Sequence, residues 1–439
     1  MKLWERKEKK VLDSVEEFEV GKDYIYDREI ALHDIKGSIA HVKMLNKIGI
    51  LSDEEVRKIV LELEHLYEKF KKQPPALSIS DEDIHTYIEN RLVSALGELG
   101  KKIHTGRSRN DQVITALRLY EKEKVSELIE GIDRVLKKLV EMSKKFKGMP
   151  FIGYTHLRQA MPTTVDVWLG SLIEALEDDR ALFRITLDFI DRNPLGSSAG
   201  YGVPLNLDRE YTTKLLGFGK LIENPLYCQN TRGKYESILI FAIALLIGDL
   251  ARFSSDIVIF SSDEFGFVKL GEEITTGSSI MPHKRNPDAF ELIRAKFKKI
   301  LGYLVSTMSI TFSVMSGYNK DLQETKETTI ESIKEALKIL GVFEKMLDYI
   351  NFDEEAVYAK ASKKIFSADI AFEIVKNFNL PFREAYRKVS EIVDLYTDES
   401  SLPLLREKFS DSISLKVIEF LSMDVRELFR ICIDKRSKK

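Results

Sequence analysis

The sequence predicts an all-α fold built on a long central helical bundle. Three observations carry this. Apolar residues recur at helical spacing through most of the 439 residues. Only 11 prolines interrupt them, with no low-complexity tract or repeat. One stretch, Tyr235 to Ser262, is apolar nearly all round, which requires burial on all sides at the centre of a large bundle, one that subunits can share.

The length gives two or three domains and ample core. Net charge is −3, from 67 basic and 70 acidic residues, which leaves no electrostatic footprint for nucleic acid. Cys228 and Cys432 are far apart, so neither a disulfide framework nor a cysteine metal site is expected, and a reducing, cytoplasmic compartment fits best. The first residues, MKLWERKEKK, lack the apolar core of a secretory signal. The longest apolar run, Ile238 to Ile247, has ten residues against the roughly 20 a membrane span needs. No membrane segment is therefore expected.

Three regions divide the chain: 1–106, 107–351 and 352–439. In the first, Ser52 precedes acids as a helix N-cap, and Ile59, Leu63, Leu66 and Phe70 follow at helical spacing until Pro74-Pro75. Asp81-Glu82-Asp83 opens another helix, with Asp81 as its cap; His85 and Glu89 lie four apart but have no further ligand cluster, so a polar contact for His85 is preferred to a metal. A helix from about Asp111 to Lys145 carries Val113, Leu117, Tyr120, Val125, Leu128, Ile132, Leu136 and Leu139 on its apolar side. Another starts after Pro162. The glycine-rich NPLGSSAGYGVP, from Asn193, lacks a P-loop's lysine and any preceding strand, so it reads as a compact turn. Ala289 to Ser313 and Leu322 to Ile350 are further long helices. Past residue 352, shorter helices are broken at Pro381 and Pro403.

Four polar stretches interrupt these helices. GKKIHTGRSRNDQ places Arg107, Ser108, Arg109 and Asn110 at the mouth of a long helix, a set that suits a carboxylate-bearing ligand. FIGYTHLRQAMP places Thr155 and His156 among polar neighbours, where the histidine is a candidate acid or base. GSSIMPHKRNPD, Gly277 to Asp288, reads as a mobile loop supplying a hydroxyl, backbone N–H donors, a cation and an amide, the parts for holding negative charge on a small anion. SGYNKDLQETKE, Ser316 to Glu327, is the fourth. Each also has a plain reading as a solvated turn.

Taken together, HTGRSRNDQ, GYTHLRQAMP, GSSIMPHKRNPD and YNKDLQETKE resemble the argininosuccinate lyases of the fumarase/aspartase superfamily. The resemblance runs from about Tyr26 to Lys326 and more weakly beyond Pro381. GSSxMPxKxNP marks only the superfamily, whereas HTGRSRNDQ with YNKDLQE is specific to this branch. It implies three largely helical domains and a homotetramer with a twenty-helix core, each active site built from three subunits. It also implies cleavage of argininosuccinate to arginine and fumarate by anti β-elimination, with no metal or organic cofactor.

The resemblance further implies roles. Ser278 matches the catalytic serine, favoured as base, and its oxyanion would need the loop N–H groups and Lys284. His156 matches the catalytic histidine, as acid or as a relay with Glu291. Lys284 and Asn286 match carboxylate-holding positions. Asn110 and Thr155 match substrate contacts; Tyr318, Gln323 and Lys326 match the groups holding the arginine end; Asp27 matches an acid near the substrate. Several positions depart from the pattern. The opening reads LWERKE, not a glycine-rich LWGGRF. Asp23 replaces a serine, and Thr231 and Gly233 replace acids beside Arg232. His283 stands where glutamine is usual and is familiar from adenylosuccinate lyases, which makes an adenylosuccinate-cleaving enzyme the alternative. A non-enzymatic, crystallin-like scaffold is disfavoured because Ser278, His156, Lys284 and Glu291 are all present.

Overall fold

The computed structural model of the chain describes residues 12–436. The charged N-terminal decapeptide, its LWERKE departure and the last residues of the tail expected to fray lie outside the described residues. Helices dominate, as the period of the apolar residues predicts. They pack into two compact units, each made from three separated stretches: the chain up to Asp133 with Glu177–Gly248 and Ala295–Val342, and Arg134–Leu176 with Asp249–Arg294 and Phe343 onward. The boundaries fall inside the helices Arg109–Lys145, Val165–Ile190, Lys234–Phe260, Asp288–Phe312 and Thr325–Met346. The division 1–106, 107–351 and 352–439 runs along the chain, whereas these units are defined by packing.

In the first unit, helix Asp53–Lys72 starts as its sequence requires. Ser52 Oγ accepts from Glu55 N–H, and the Glu55 carboxylate accepts from Ser52 N–H, a complete capping box. Ile59, Leu63, Leu66 and Phe70 form its buried side. The cap of the next helix, Ile84–Leu96, is Asp83, which accepts from Thr86 N–H at 2.7 Å. Asp81, the expected cap, instead accepts from Ser78 N–H in the preceding turn, because the chain reverses at Glu82 (φ 65°) before the helix begins. His85 meets Asp34 at 2.7 Å, the polar contact expected. The glycine-rich segment is a compact turn whose Gly196 and Ser198 N–H groups donate to buried Asp111.

The Lys234–Phe260 helix is buried on most of its surface in the single chain, but not all round. Leu239, Ile240, Ile243, Leu246 and Ile247 are fully buried, but Phe241 and Leu245 are 47% and 44% exposed in the single chain. They lie four residues apart, so one stripe of the helix is uncovered. Counted with the short helix Pro225–Asn230 before it, Pro225–Phe260 is long and apolar enough to cross a membrane by composition; the uninterrupted apolar run alone understates its length. The fold buries 67% of its most apolar window, which accounts for that apolarity as packing.

The second unit holds an antiparallel hairpin, Pro150–Thr155 with Arg158–Thr164, in a region expected to lead directly into a helix. The helix begins only at Val165. An aromatic cluster seats the hairpin: Phe151 packs edge-on to Phe260 at 5.1 Å, Tyr154 lies 5.4 Å from Phe265, and Trp168 stacks on Phe253 at 4.5 Å. Trp168 Nε1–H donates to Asp256 at 3.0 Å. Gln159 ties the second strand to the C-terminal segment, donating to Lys360 O and accepting from Ser362 N–H. Pro381 precedes helix Phe382–Leu395, whereas Pro403 sits in the first turn of Leu402–Lys408 and starts that helix.

Candidate active site

The predicted site residues fall into one group in each unit. In the first unit the centre is Lys326, 1% exposed at the start of helix Thr325–Met346. Its ammonium reaches Asp27 Oδ1 at 2.5 Å and Asp23 Oδ1 at 3.0 Å. Burial alone would lower the Lys326 pKa, but Asp23 and Asp27 outweigh it and hold the group charged. Asp27 is fully buried on helix Asp23–Lys47, and its other oxygen accepts from Ile84 N–H at 2.8 Å. Burial pushes the Asp27 carboxyl up, against the pull of Lys326. Gln323 is buried and donates to Glu19 O and Val20 O, so it fixes the chain just before Asp23.

Ser108 to Asn110 enter the same unit at the head of helix Arg109–Lys145. Ser108 is the cap: its hydroxyl accepts from Asn110 N–H, and its N–H donates to Asp111. Arg109 Nη1–H donates to Glu82 at 2.6 Å and Nη2–H to Thr86 at 2.7 Å. Asp23, Arg109, Asn110, Tyr318 and Gln323 line a cavity of about 160 Å³, joined by Glu82, Asp83 and Arg232. Arg107 stands apart. It is buried, donates to Ser38 at 3.1 Å, and lines a separate space of about 10 Å³ beside Asp34 and His85. Of the expected residues in this unit, Asp23, Arg109, Asn110, Tyr318 and Gln323 line the cavity, Asp27 and Lys326 reach it through Asp23, Ser108 caps the helix that carries Arg109 and Asn110, and Arg107 stands outside. Glu82, Asp83, Thr86 and Arg232 were missed. Glu82 and Asp83 sit in the acidic run already noted as a helix start, and Thr86 follows in the first turn of that helix; for Arg232 the signal was the missing acids on either side.

In the second unit, Thr155 and His156 lie at the tip of the hairpin. Thr155 pairs with Arg158, so His156 and Leu157 are the two turn residues, with φ of 53° and 56°. Positive φ at both positions is what a tight two-residue turn requires, and neither residue is glycine. Histidine tolerates this conformation better than leucine. The tip is exposed, so the imidazole is presented on a strained, well-anchored turn.

Ser278 lies in a second hairpin-like loop. Thr276 and Gly277 pair with Asn286 and Arg285, and the segment between them folds back. Ser278 Oγ accepts from Ile280 N–H at 3.3 Å and Met281 N–H at 3.1 Å. Two N–H donors on one hydroxyl oxygen favour its oxyanion. Lys284 N–H closes the turn on Met281 O, and Thr276 Oγ1–H donates to Asp288 at 2.5 Å across the base of the loop. A cleft of about 1070 Å³ is lined by Met281, His283, Lys284, Asn286 and Glu291, together with Ser262 and Lys269. Glu291 stands in the first turn of helix Asp288–Phe312 and pairs with Arg294 at 3.3 Å. No hydrogen bond joins Glu291 to His156 among the described residues.

Such groups can bind an anionic amino acid, present a hydroxyl oxygen poised to carry negative charge, and offer an imidazole for proton transfer. A family profile described as Lyase matches residues 17–302. The chain is 46% identical to argininosuccinate lyase from Thermotoga neapolitana, over 89% of this chain and 98% of that protein. Among solved structures it resembles EDDS lyase in complex with formate, with a TM-score of 0.79 and 22% identity, covering 95% of this chain and 88% of that one. It also resembles class II fumarase from Schistosoma mansoni, with a TM-score of 0.74 and 16% identity over 95% and 93% of the two chains. At these identities the structural likenesses establish a fumarase/aspartase-like fold.

Proposed function

This chain belongs to the argininosuccinate lyase family, and we propose that it cleaves argininosuccinate to L-arginine and fumarate by a reversible anti β-elimination, in arginine biosynthesis. The observation that carries the reading onto this molecule is the pair of N–H donors on Ser278 Oγ beside a cleft lined by Lys284 and Asn286. Ser278, as its alkoxide, removes a proton from the succinyl CH₂. The electron pair spreads onto the adjacent carboxylate, which becomes a dianionic aci-carboxylate; Lys284 and Asn286 hold it. Collapse of that charge forms the double bond of fumarate and breaks the C–N bond. His156 delivers a proton to the leaving guanidino nitrogen, with Glu291 supporting its charge. Asp23, Asp27, Tyr318, Gln323 and Lys326 hold the arginine end, while Asn110 and Thr155 contact the succinyl part. Arg109 positions the acidic turn at Glu82, and Arg107 supports the fold from its buried contact with Ser38.

The reading includes a homotetramer with the three-part organisation 1–106, 107–351 and 352–439, a twenty-helix core, and active sites that draw on three subunits. Leu301, Val305, Met308 and Phe312 are exposed at spacings of four, three and four along one helix, as Phe241 and Leu245 are along another. Apolar stripes of this kind suit subunit contacts. Both cysteines are free and buried, in keeping with a cytoplasmic location.

The direct test offers the purified protein argininosuccinate and adenylosuccinate in parallel and follows fumarate by ultraviolet absorbance. Fumarate should appear from argininosuccinate. Release from adenylosuccinate alone, or from neither, overturns the reading.

A further inference from the structure

Arg232 is 3% exposed and lines the 160 Å³ cavity with Asp23, Asn110, Tyr318 and Gln323. Its guanidinium lies 5.3 Å from the centre of the Tyr318 ring, and its Nε–H has no acceptor. Arg232 has no ion-pair partner among the described residues. The other cations beside it are committed or at the surface: half-buried Arg109 donates to Glu82 and Thr86, buried Lys326 pairs with Asp23 and Asp27, and Lys320 is exposed. A buried, uncompensated cation is costly and calls for an anion.

The residues on either side of Arg232 in the chain supply none, and the acids that share its cavity are engaged elsewhere: Asp23 with Lys326, Glu82 with Arg109, and Asp83 as the helix cap. Gly233 has φ of 81°, and a Cβ there would stand 2.0 Å from Thr311 Oγ1, so no side chain fits. Thr231 Oγ1–H is spent on Cys228 O at 2.7 Å. The vacant charge is therefore built into the backbone packing. Opposite in sign, Asp23 lines the same cavity and has one oxygen on Lys326. The space exceeds the roughly 30 Å³ share of one water several-fold.

We propose that Arg232 is a substrate-binding residue: its guanidinium takes the α-carboxylate of the arginine end of argininosuccinate, and Asp23 takes the α-ammonium. This rests on the functional reading above. A planar fork of donors suits a carboxylate, and an amino-acid head group presents the two charges this cavity complements.

The test runs the reaction in the synthetic direction, with fumarate and either arginine or agmatine, which is arginine without its α-carboxylate. Agmatine is scored as substrate or as competitive inhibitor against arginine. The parent enzyme should prefer arginine. Arg232→Met should raise KM for arginine about 100-fold, leave agmatine and fumarate within about twofold, and so abolish the preference. Arg232→Lys keeps the charge without the fork and should raise KM for arginine about tenfold. An unchanged KM for arginine in Arg232→Met, or an equal rise for agmatine, overturns the proposal. If the Met variant does not fold, an unchanged arginine KM in the Lys variant overturns it instead. Failure of the parent enzyme to join arginine to fumarate would overturn the functional reading itself.

Discussion

Around Lys326 the charges are buried or half-buried and mostly paired before any ligand arrives, while Thr155, His156 and Lys284 stand exposed on two short turns. The first region is cross-linked by ion pairs: Lys326 with Asp23 and Asp27 on another helix, and Arg109 with Glu82 in the turn before the next. The second is held by backbone bonds within each turn and by an aromatic cluster beneath one of them. The difference separates two tasks. Recognition of a zwitterion needs fixed, desolvated charges. Proton transfer needs groups that substrate can reach, and whose surroundings change when it arrives. Burying the reacting groups in advance would require a permanent charge partner for each.

The comparison can be broken most strongly at His156. His156→Asn keeps a residue that tolerates the left-handed turn but removes the imidazole. Turnover should fall by about 10²- to 10⁴-fold with the hairpin and thermal stability intact, measured by steady-state fumarate release and a melting curve. A variant of normal activity would remove the turn from the chemistry.

The buried region should respond in stability instead. Lys326→Ala leaves Asp27 and Asp23 facing one another without their cation, and should cost about 3–5 kcal/mol in urea unfolding. Loss of less than about 1 kcal/mol would mean that the cluster is solvated and not preorganised.

A third difference concerns pH. Fully buried Arg118 donates to Glu121 at 2.5 Å and Glu236 at 3.3 Å, one guanidinium for two carboxylates. Burial raises Glu121 to about 8. An unfolded glutamate titrates near about 4.3. The folded state therefore keeps a proton that the unfolded state releases. Its stabilising contribution is full below the unfolded pKa and is lost as pH rises toward the folded one. Glu121→Gln should flatten the fall in urea midpoint between about pH 5 and pH 8. An identical pH slope in parent and variant would contradict this.

The smallest effect is at the turn itself. Leu157 is 78% exposed with φ of 56°, so Leu157→Gly relieves strain without losing packing. Stability should rise by about 1 kcal/mol, read from the melting temperature. A fall would show that Leu157 has a packing role in the assembled protein.

Helices such as Asp53–Lys72 were legible because their caps and apolar spacing are local. The Ser278 loop was legible for the same reason, since its donors lie within three residues. The hairpin was not. Its turn is His156-Leu157, with no asparagine or glycine to mark it, and its seat is made of aromatics from distant segments. Arg107 could not be told from Arg109 by sequence, because only packing buries one against Ser38 and turns the other toward Glu82. The importance of Arg232 depends on Gly233 meeting Thr311, a contact between residues far apart in the chain.

The separation of recognition from reaction is tested most directly in Ser278→Ala, by titrating argininosuccinate in a calorimeter and measuring fumarate release on the same preparation. Binding within about threefold of the parent, with turnover lowered by about 10³-fold, is the predicted result. Full turnover, or lost binding in a folded protein, would contradict it.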